Sequence, residues 1–150
     1  MKTSHTFLAI PIRRVDPTLP LPEYKTRGAV AFDLASRETV TIEPHSVGYL
    51  PLNICLVTPP GYMLLIAARS SLHKRGLMMA NGVGIGDQDF CGNDDEWRGV
   101  LLNFTNAPIT VERGERILQG MFISIAKAQF DERQDLDAPN RGGLGSTGSA

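Results

Sequence analysis

Apolar residues along this chain fall into short runs of strand length, separated by glycine and proline. From Thr39 to Pro44 they alternate, Val40 and Ile42 facing one way and Thr41 and Glu43 the other, which predicts a half-buried strand. Pro44-His45-Ser46 turns the chain, Val47–Leu52 returns extended, and Asn53–Val57 forms a further apolar strand stopped by Pro59-Pro60-Gly61. Tyr62–Ala67 is apolar enough to predict a fully buried strand. Ile109-Thr110-Val111 alternates again, and a turn at Gly114 leads into a long strand over Ile117–Ile125. The helical signal is thin. Ser70–Arg75 predicts one or two turns, with Ser70 or Ser71 as N-cap and Gly76 as the C-terminal stop. Phe130–Ala138 is polar, carries the poor helix formers Asp131, Asp135 and Asp137, and reads as linker. Pro139–Gly148 is too rich in glycine to hold structure alone. The pattern is that of an all-β sandwich or barrel.

Composition narrows the class. The 150 residues include 15 Gly and 10 Pro, and 42% are hydrophobic, enough for one domain with a real core. Fifteen basic residues against 16 acidic ones leave a formal charge of -1, which argues against electrostatic capture of nucleic acid or an anionic membrane. Cys55 and Cys91 are the only cysteines, so neither a disulfide framework nor a four-cysteine metal cluster is available. The apolar run Met63–Ala68 is far too short to span a bilayer. The N-terminal stretch is broken by Pro11, Arg13 and Arg14 and does not read as a signal peptide. A single-domain cytoplasmic protein is the expectation.

Four segments carry candidate chemistry. Ala68-Arg69-Ser70-Ser71-Leu72 follows a strand with a guanidinium, two hydroxyls and free N–H groups, a combination that suits an anion. In Asn81–Gly92 the three alternating glycines Gly82, Gly84 and Gly86 leave backbone edges uncovered, which would let a flat ligand approach the main chain. On a strand, Asp87 and Asp89 would share a face there. Gly114–Gly120 turns into a strand bearing Arg116 and Gln119. In the tail, Arg141 amid glycines, with Ser146 and Thr147, could fold over phosphates. Taken singly, each has an ordinary structural use: an N-cap, a glycine hairpin, a turn, a loose end. His5, His45 and His73 lack metal-ligand spacing, Cys55 reads as core, and Asn93-Asp94-Asp95-Glu96 reads as a solvated turn rather than a calcium loop.

Together, and in order, these segments resemble the five motifs of the trimeric dUTPase family. Ala31-Phe32-Asp33-Leu34 resembles the first, Arg69-Ser70-Ser71-Leu72 the second, and Gly84–Gly92 the third. Asn103-Phe104 with Gly114–Gln119 resembles the fourth, and Arg141–Gly148 the fifth. The resemblance implies a distorted jelly-roll-like β-barrel over residues 1–138 with a flexible C-terminal arm at 139–150. It implies a homotrimer with active sites shared between subunits, and no nucleic-acid or membrane partner.

The implied reaction is magnesium-assisted hydrolysis of dUTP to dUMP and pyrophosphate by water attacking the α-phosphorus, which limits uracil incorporation into DNA and supplies dUMP for thymidylate synthesis. Asp87 matches the aspartate that activates the water. Arg69, Ser70, Ser71 and Gln119 match phosphate-contacting groups. Asn81 and the main chain at Gly84 and Ile85 match the uracil edge, and Phe90 the ring that excludes a ribose 2′-OH. Arg141, Leu144 and Gly145 match positions of the closing arm, with Leu144 where a phenylalanine usually stacks on uracil. Mg2+ is held mainly by phosphate oxygens and water, with Asp33 supporting it through water. Gly86 stands where the family usually has an apolar β-branched residue, and is expected to loosen the strand that holds Asp87. Two other readings use the same motifs. A dCTP deaminase would need a catalytic glutamate where this chain has Asn103, and a regulator of the same fold would bind without useful turnover.

Overall fold

A computed structural model describes residues 7–143. Among the described residues eleven strands and one 3-10 turn succeed one another, and every strand pair is antiparallel. The strands are β1 (Ile12–Arg14), β2 (Phe32–Ala35), β3 (Val40–Ile42), β4 (Val47–Pro51), β5 (Ile54–Leu56), β6 (Tyr62–Ala68), β7 (Leu77–Met79), β8 (Gly84–Gly86), β9 (Arg98–Asn103), β10 (Ile109–Val111) and β11 (Arg116–Ser124). They form four small sheets, ordered β1-β5, β10-β3, β2-β11-β6-β8 and β4-β9-β7. This is the distorted jelly-roll-like barrel expected of the motifs.

Strand β11, late in the chain, lies between β2 and β6, so the largest sheet joins distant parts of the sequence. Leu34, Ile42, Leu50, Leu64, Ile66, Leu77, Leu101 and Leu118 are essentially fully buried between the sheets. Each full burial of such a side chain is worth about 1.5–3 kcal/mol. Gly120 lets β2 and β11 close up, because a Cβ there would sit 2.7 Å from the Phe32 ring. Burial in β6 alternates: Leu64 and Ile66 are buried while Met63 and Leu65 are only half-buried. The strand is therefore fully enclosed on one face only and partly covered on the other.

The turn Leu72–Arg75 is 3-10, with Ser71 at its N-cap making no side-chain cap bond and Gly76 closing it at φ 75°. Residues 126–143 carry no regular structure and are exposed throughout. Cys55 is buried, and desolvation raises its thiol pKa above the ordinary value; Cys91 is exposed. Among the described residues no helix is long and apolar enough to cross a membrane.

The acidic run is not merely a solvated turn. Glu96 is 10% exposed and takes a bidentate pair from Arg37, with Nε–Oε1 2.7 Å and Nη2–Oε2 3.0 Å, while the Asn53 N–H donates to Oε1 at 3.0 Å. Asn53 holds φ at 66° and exchanges bonds with Asp16: the Asp16 N–H donates to Asn53 Oδ1, and Asn53 Nδ2 donates to the Asp16 carbonyl. Pairing with Glu96 raises the Arg37 pKa. Replacing Arg37 by Ala leaves Glu96 buried without its counter-charge, and is expected to cost about 3 kcal/mol of unfolding free energy. Urea denaturation of both proteins at neutral pH measures the difference.

Candidate active site

The register of the largest sheet assembles a first cleft. In β11, Gln119 lies between Asp33 of β2 and Ala67 of β6. Its amide donates to the Ala68 carbonyl at 2.9 Å, at the point where β6 gives way to Arg69. The Asp33 carboxylate, 13% exposed, is divided between two guanidiniums: Arg69 Nε lies 3.0 Å from Oδ1 and Arg116 Nη1 3.0 Å from Oδ2. Arg69 also donates to the Arg116 carbonyl at 3.0 Å. These groups, with Ser70 and Lys25, line a cleft of about 450 Å³. Lys25 pairs with Glu23 at the rim and lowers that carboxyl's pKa. Three cations against one carboxylate in the lining leave an excess of positive charge, which suits a polyanion.

A second cleft, of about 460 Å³, is lined by Ile85, Asp87, Phe90, Asp94, Glu96, Trp97 and Arg98. It lies beside β8, the edge strand of the same sheet, whose outer side has no strand partner among the described residues. Alternate backbone N–H and C=O groups of Gly84-Ile85-Gly86 therefore face outward, unmet by the sheet. Strand β8 ends at Gly86, so Asp87 is the first residue beyond it, exposed, and Gln88 and Asp89 lie in the turn that follows. Asp87 and Asp89 do not share a strand face as the spacing suggested, because pairing with β6 stops at Gly86 opposite Leu64.

Gly86 does not loosen this strand. A Cβ there would meet Leu64 Cβ and Trp97 Cη2, each at 2.7 Å, and the Leu64 carbonyl oxygen at 2.8 Å. The volume that a β-branched residue would occupy is filled by the Trp97 ring. Trp97 also packs edge-on against Phe90, with centroids 4.7 Å apart and planes at 69°.

Within one chain the structure groups Asp33, Arg69, Ser70 and Gln119 in the first cleft, and Ile85, Asp87 and Phe90 in the second. Gly84 is in β8; Ser71 is exposed just after the first group, and Asn81 is exposed in the turn before β8. Arg141 is exposed and lines neither cleft; Leu144 and Gly145 lie outside the described residues. Sequence reasoning passed over Lys25 and Trp97, and gave Arg116 no role. An unusual glycine beside a candidate catalytic carboxylate was the signal that some large side chain must fill its space.

The two clefts do not meet. Gly86 pairs with Leu64, five residues before Arg69 along β6. At roughly 3.3 Å per residue that is about 16 Å.

Such a chain is a small β-barrel with a positively charged cleft, an open-edged glycine strand and an exposed carboxylate at the end of that strand. The family model described as dUTPase matches residues 18–150. Deoxyuridine 5'-triphosphate nucleotidohydrolase of Helicobacter pylori (strain P12) is 39% identical over 144 residues, covering 94% of this chain and 97% of that protein. The protein of the same name from Dictyoglomus turgidum is 38% identical over 144 residues, covering 91% and 96%. The Staphylococcus bacteriophage 80alpha dUTPase solved with dUPNHPP superposes with a TM-score of 0.82 at 18% identity, covering 94% of this chain and 99% of that one. The dUTPase from Streptococcus mutans gives 0.72 at 25% identity, covering 79% and 98%. The chain belongs to the dUTPase family.

The packing around Gly86 makes a direct prediction. Gly86→Ala forces a methyl against the Leu64 backbone, which cannot swing aside, and overpacking of this kind costs about 1–3 kcal/mol. A fall of that size in the unfolding free energy of the variant, extrapolated to water from urea denaturation, checks it.

Proposed function

We propose that this chain hydrolyses dUTP to dUMP and pyrophosphate, with Asp87 orienting the water that attacks the α-phosphorus. The observation that carries the reading is an open-edged glycine strand running straight into an exposed carboxylate, in a chain of this family that also carries a polyanion cleft. The outward backbone groups of Gly84 and Ile85, with the Asn81 amide, can pair with a uracil edge. Cytosine presents the inverse donor and acceptor order, and each unmet polar group would cost about 1–3 kcal/mol. The Phe90 ring excludes a ribose 2′-OH. Ser70, Ser71, Arg69 and Gln119 hold the phosphates, with Lys25 and Arg116 adding positive charge beside them. Arg141, Leu144 and Gly145 belong to the arm that closes over the nucleotide.

Among the described residues no three His, Cys, Asp or Glu side chains form a group that could hold a metal ion. Mg2+ fits this chain as an ion carried by the triphosphate oxygens and water, with Asp33 reached through water. When bound it would supply charge neutralisation on the phosphates. Asp33 has a second role of its own, keeping Arg69 and Arg116 apart and aimed.

The separation of the clefts supports a site shared between copies. In-line attack needs the water-holding carboxylate within hydrogen-bond reach of a water at the α-phosphorus. Gly86, the residue before Asp87, lies about 16 Å from Arg69 along β6, a span that favours drawing the two groups from different chains. We therefore read the active unit as a homotrimer. In support, the β4-β9-β7 sheet aligns Val47, Leu102 and Met78 in one outward row, with Tyr49 and Val100 in the next. Tyr49 is 61% exposed. Light scattering is expected to give three times the 16.3 kDa chain mass, and a stable monomer that turns over dUTP would sink the shared site. On this reading the enzyme is cytoplasmic, supplies dUMP for thymidylate synthesis and limits uracil incorporation into DNA.

The dCTP deaminase reading fails on Asn103. Its Nδ2 donates to the Ile42 and Ala107 carbonyls at 2.9 and 2.8 Å, and its Oδ1 accepts from the N–H and hydroxyl of Thr105. It is a fully buried brace with no proton to offer a substrate. The test is incubation with dUTP, dCTP and dTTP plus Mg2+. Pyrophosphate is expected from dUTP alone, and Asp87→Asn should slow its release by about 10²–10⁴-fold. Ammonia from dCTP would favour the deaminase; no turnover of any nucleotide would favour the regulator.

A further inference from the structure

The short segment from Gly86 to Phe90 must hold a carboxylate and an aromatic ring in fixed relation, yet beyond Gly86 it makes only a turn and no strand pairing. Among the described residues the Asp87 side chain accepts no hydrogen bond, so its aim depends on its neighbours. Gln88 ties the middle of the segment, its amide donating to the Tyr62 carbonyl at 3.0 Å. Both ends rest on one side chain. Trp97 Cη2 fills the space over Gly86, and the same indole meets Phe90 edge-on at 4.7 Å.

That indole is itself anchored. The Trp97 N–H donates to the Ile54 carbonyl and its carbonyl accepts from the Leu52 N–H, both at 2.9 Å. The preceding residue, Glu96, is clamped by Arg37 and Asn53. Trp97 is 8% exposed, and its Nε1 has no hydrogen-bond partner within the described residues. An indole buried without a partner for its N–H is retained at a cost, which points to its shape as what the position needs.

We infer that Trp97 is a positioning residue for both the sugar-facing ring of Phe90 and the carboxylate of Asp87, acting from beneath through Gly86. This rests on the function proposed above. The Gly86–Trp97 pair is thus one unit, in which loss of a side chain on the strand is matched by a large ring behind it. Truncating the ring leaves Phe90 unsupported on the side facing the core, so the 2′ position should be policed less strictly, while Asp87 loses its fixed entry angle.

The experiment compares Trp97→Ala and Trp97→Phe with the parent in kcat and KM for dUTP and for UTP. Trp97→Ala is expected to lower kcat for dUTP about tenfold or more and to narrow the dUTP-to-UTP ratio of kcat/KM at least about threefold. Trp97→Phe, which keeps a ring between Gly86 and Phe90, should recover most of both. A purely structural tryptophan would lower the melting temperature and leave the sugar ratio where it was. An unchanged ratio in a folded Trp97→Ala protein overturns the inference. Should Trp97→Ala fail to fold, the ratio in Trp97→Leu decides in the same way. Trp97 is also the only tryptophan of the chain, so its emission reads the contact without turnover. The emission should change on adding dUMP more than on adding UMP at equal occupancy, and equal responses count against the role. A parent that fails to hydrolyse dUTP removes the proposed activity. A parent that hydrolyses it, beside variants whose sugar ratio has not moved, removes only the role of Trp97.

Discussion

The seven-residue antiparallel pairing of β11 with β6, Leu118 to Ser124 against Ala68 to Tyr62, is the constraint on which the rest of this molecule depends. It sets Gln119 beside the end of β6 and, through β2 on the other side of β11, brings Asp33 within reach of Arg69. A one-residue slip would turn Leu118 outward and Gln119 into the core. The same pairing fixes where β8 can dock, because β8 takes the remaining edge of β6. Strand β6 therefore acts as a ruler, with cations at one end and the Asp87 carboxylate at the other.

Support for the Asp87 end comes from a polar network that reaches the same cleft through Glu96. Asn53, with φ at 66°, presents its N–H to Glu96 while its side chain locks onto Asp16. Leu52 and Ile54 on either side bond the two backbone groups of Trp97. The asparagine bend and the tryptophan are thus one structure, and Arg37 neutralises the only carboxylate buried within it. A buried pair of this kind adds little net stability against an apolar alternative. What it does here is fix direction, since a lysine in place of Arg37 could not hold both oxygens of Glu96 in one plane.

Much of the fold was legible. Val40 and Ile42 showed strand alternation, Pro59-Pro60-Gly61 marked the loop before β6, and Gly76 ended the single helical turn, all through local rules of chain geometry. Strands β1, β2, β7 and β9 were not read from the pattern, because their pairing comes from distant segments rather than from a local turn signal. The partial exposure of β6 was also invisible, since an apolar run looks the same whether its second face meets its own chain or another surface. The residues of the candidate site were named from the order of motifs. Their division into two clefts follows from the β6–β8 register, which no single segment encodes. Lys25 escaped notice for a related reason: it sits on an irregular loop that only the folded chain brings over Asp33.

The case of Gly86 shows why a local departure cannot be judged locally. Reading along the chain, a glycine before the key carboxylate means a freer backbone, because glycine has more conformations to lose on folding. Reading across the sheet, that glycine is buried and would collide with three neighbouring atoms if it carried even a methyl. Its freedom is removed by packing rather than by its own side chain. A β-branched residue stiffens a strand by restricting its own torsions. A ring whose edge fills the space of the missing side chain stiffens it from outside, and in this chain the same ring reaches on to Phe90. The two solutions differ in consequence. The first leaves the carboxylate and the aromatic ring independently supported, whereas the second makes both depend on one buried indole.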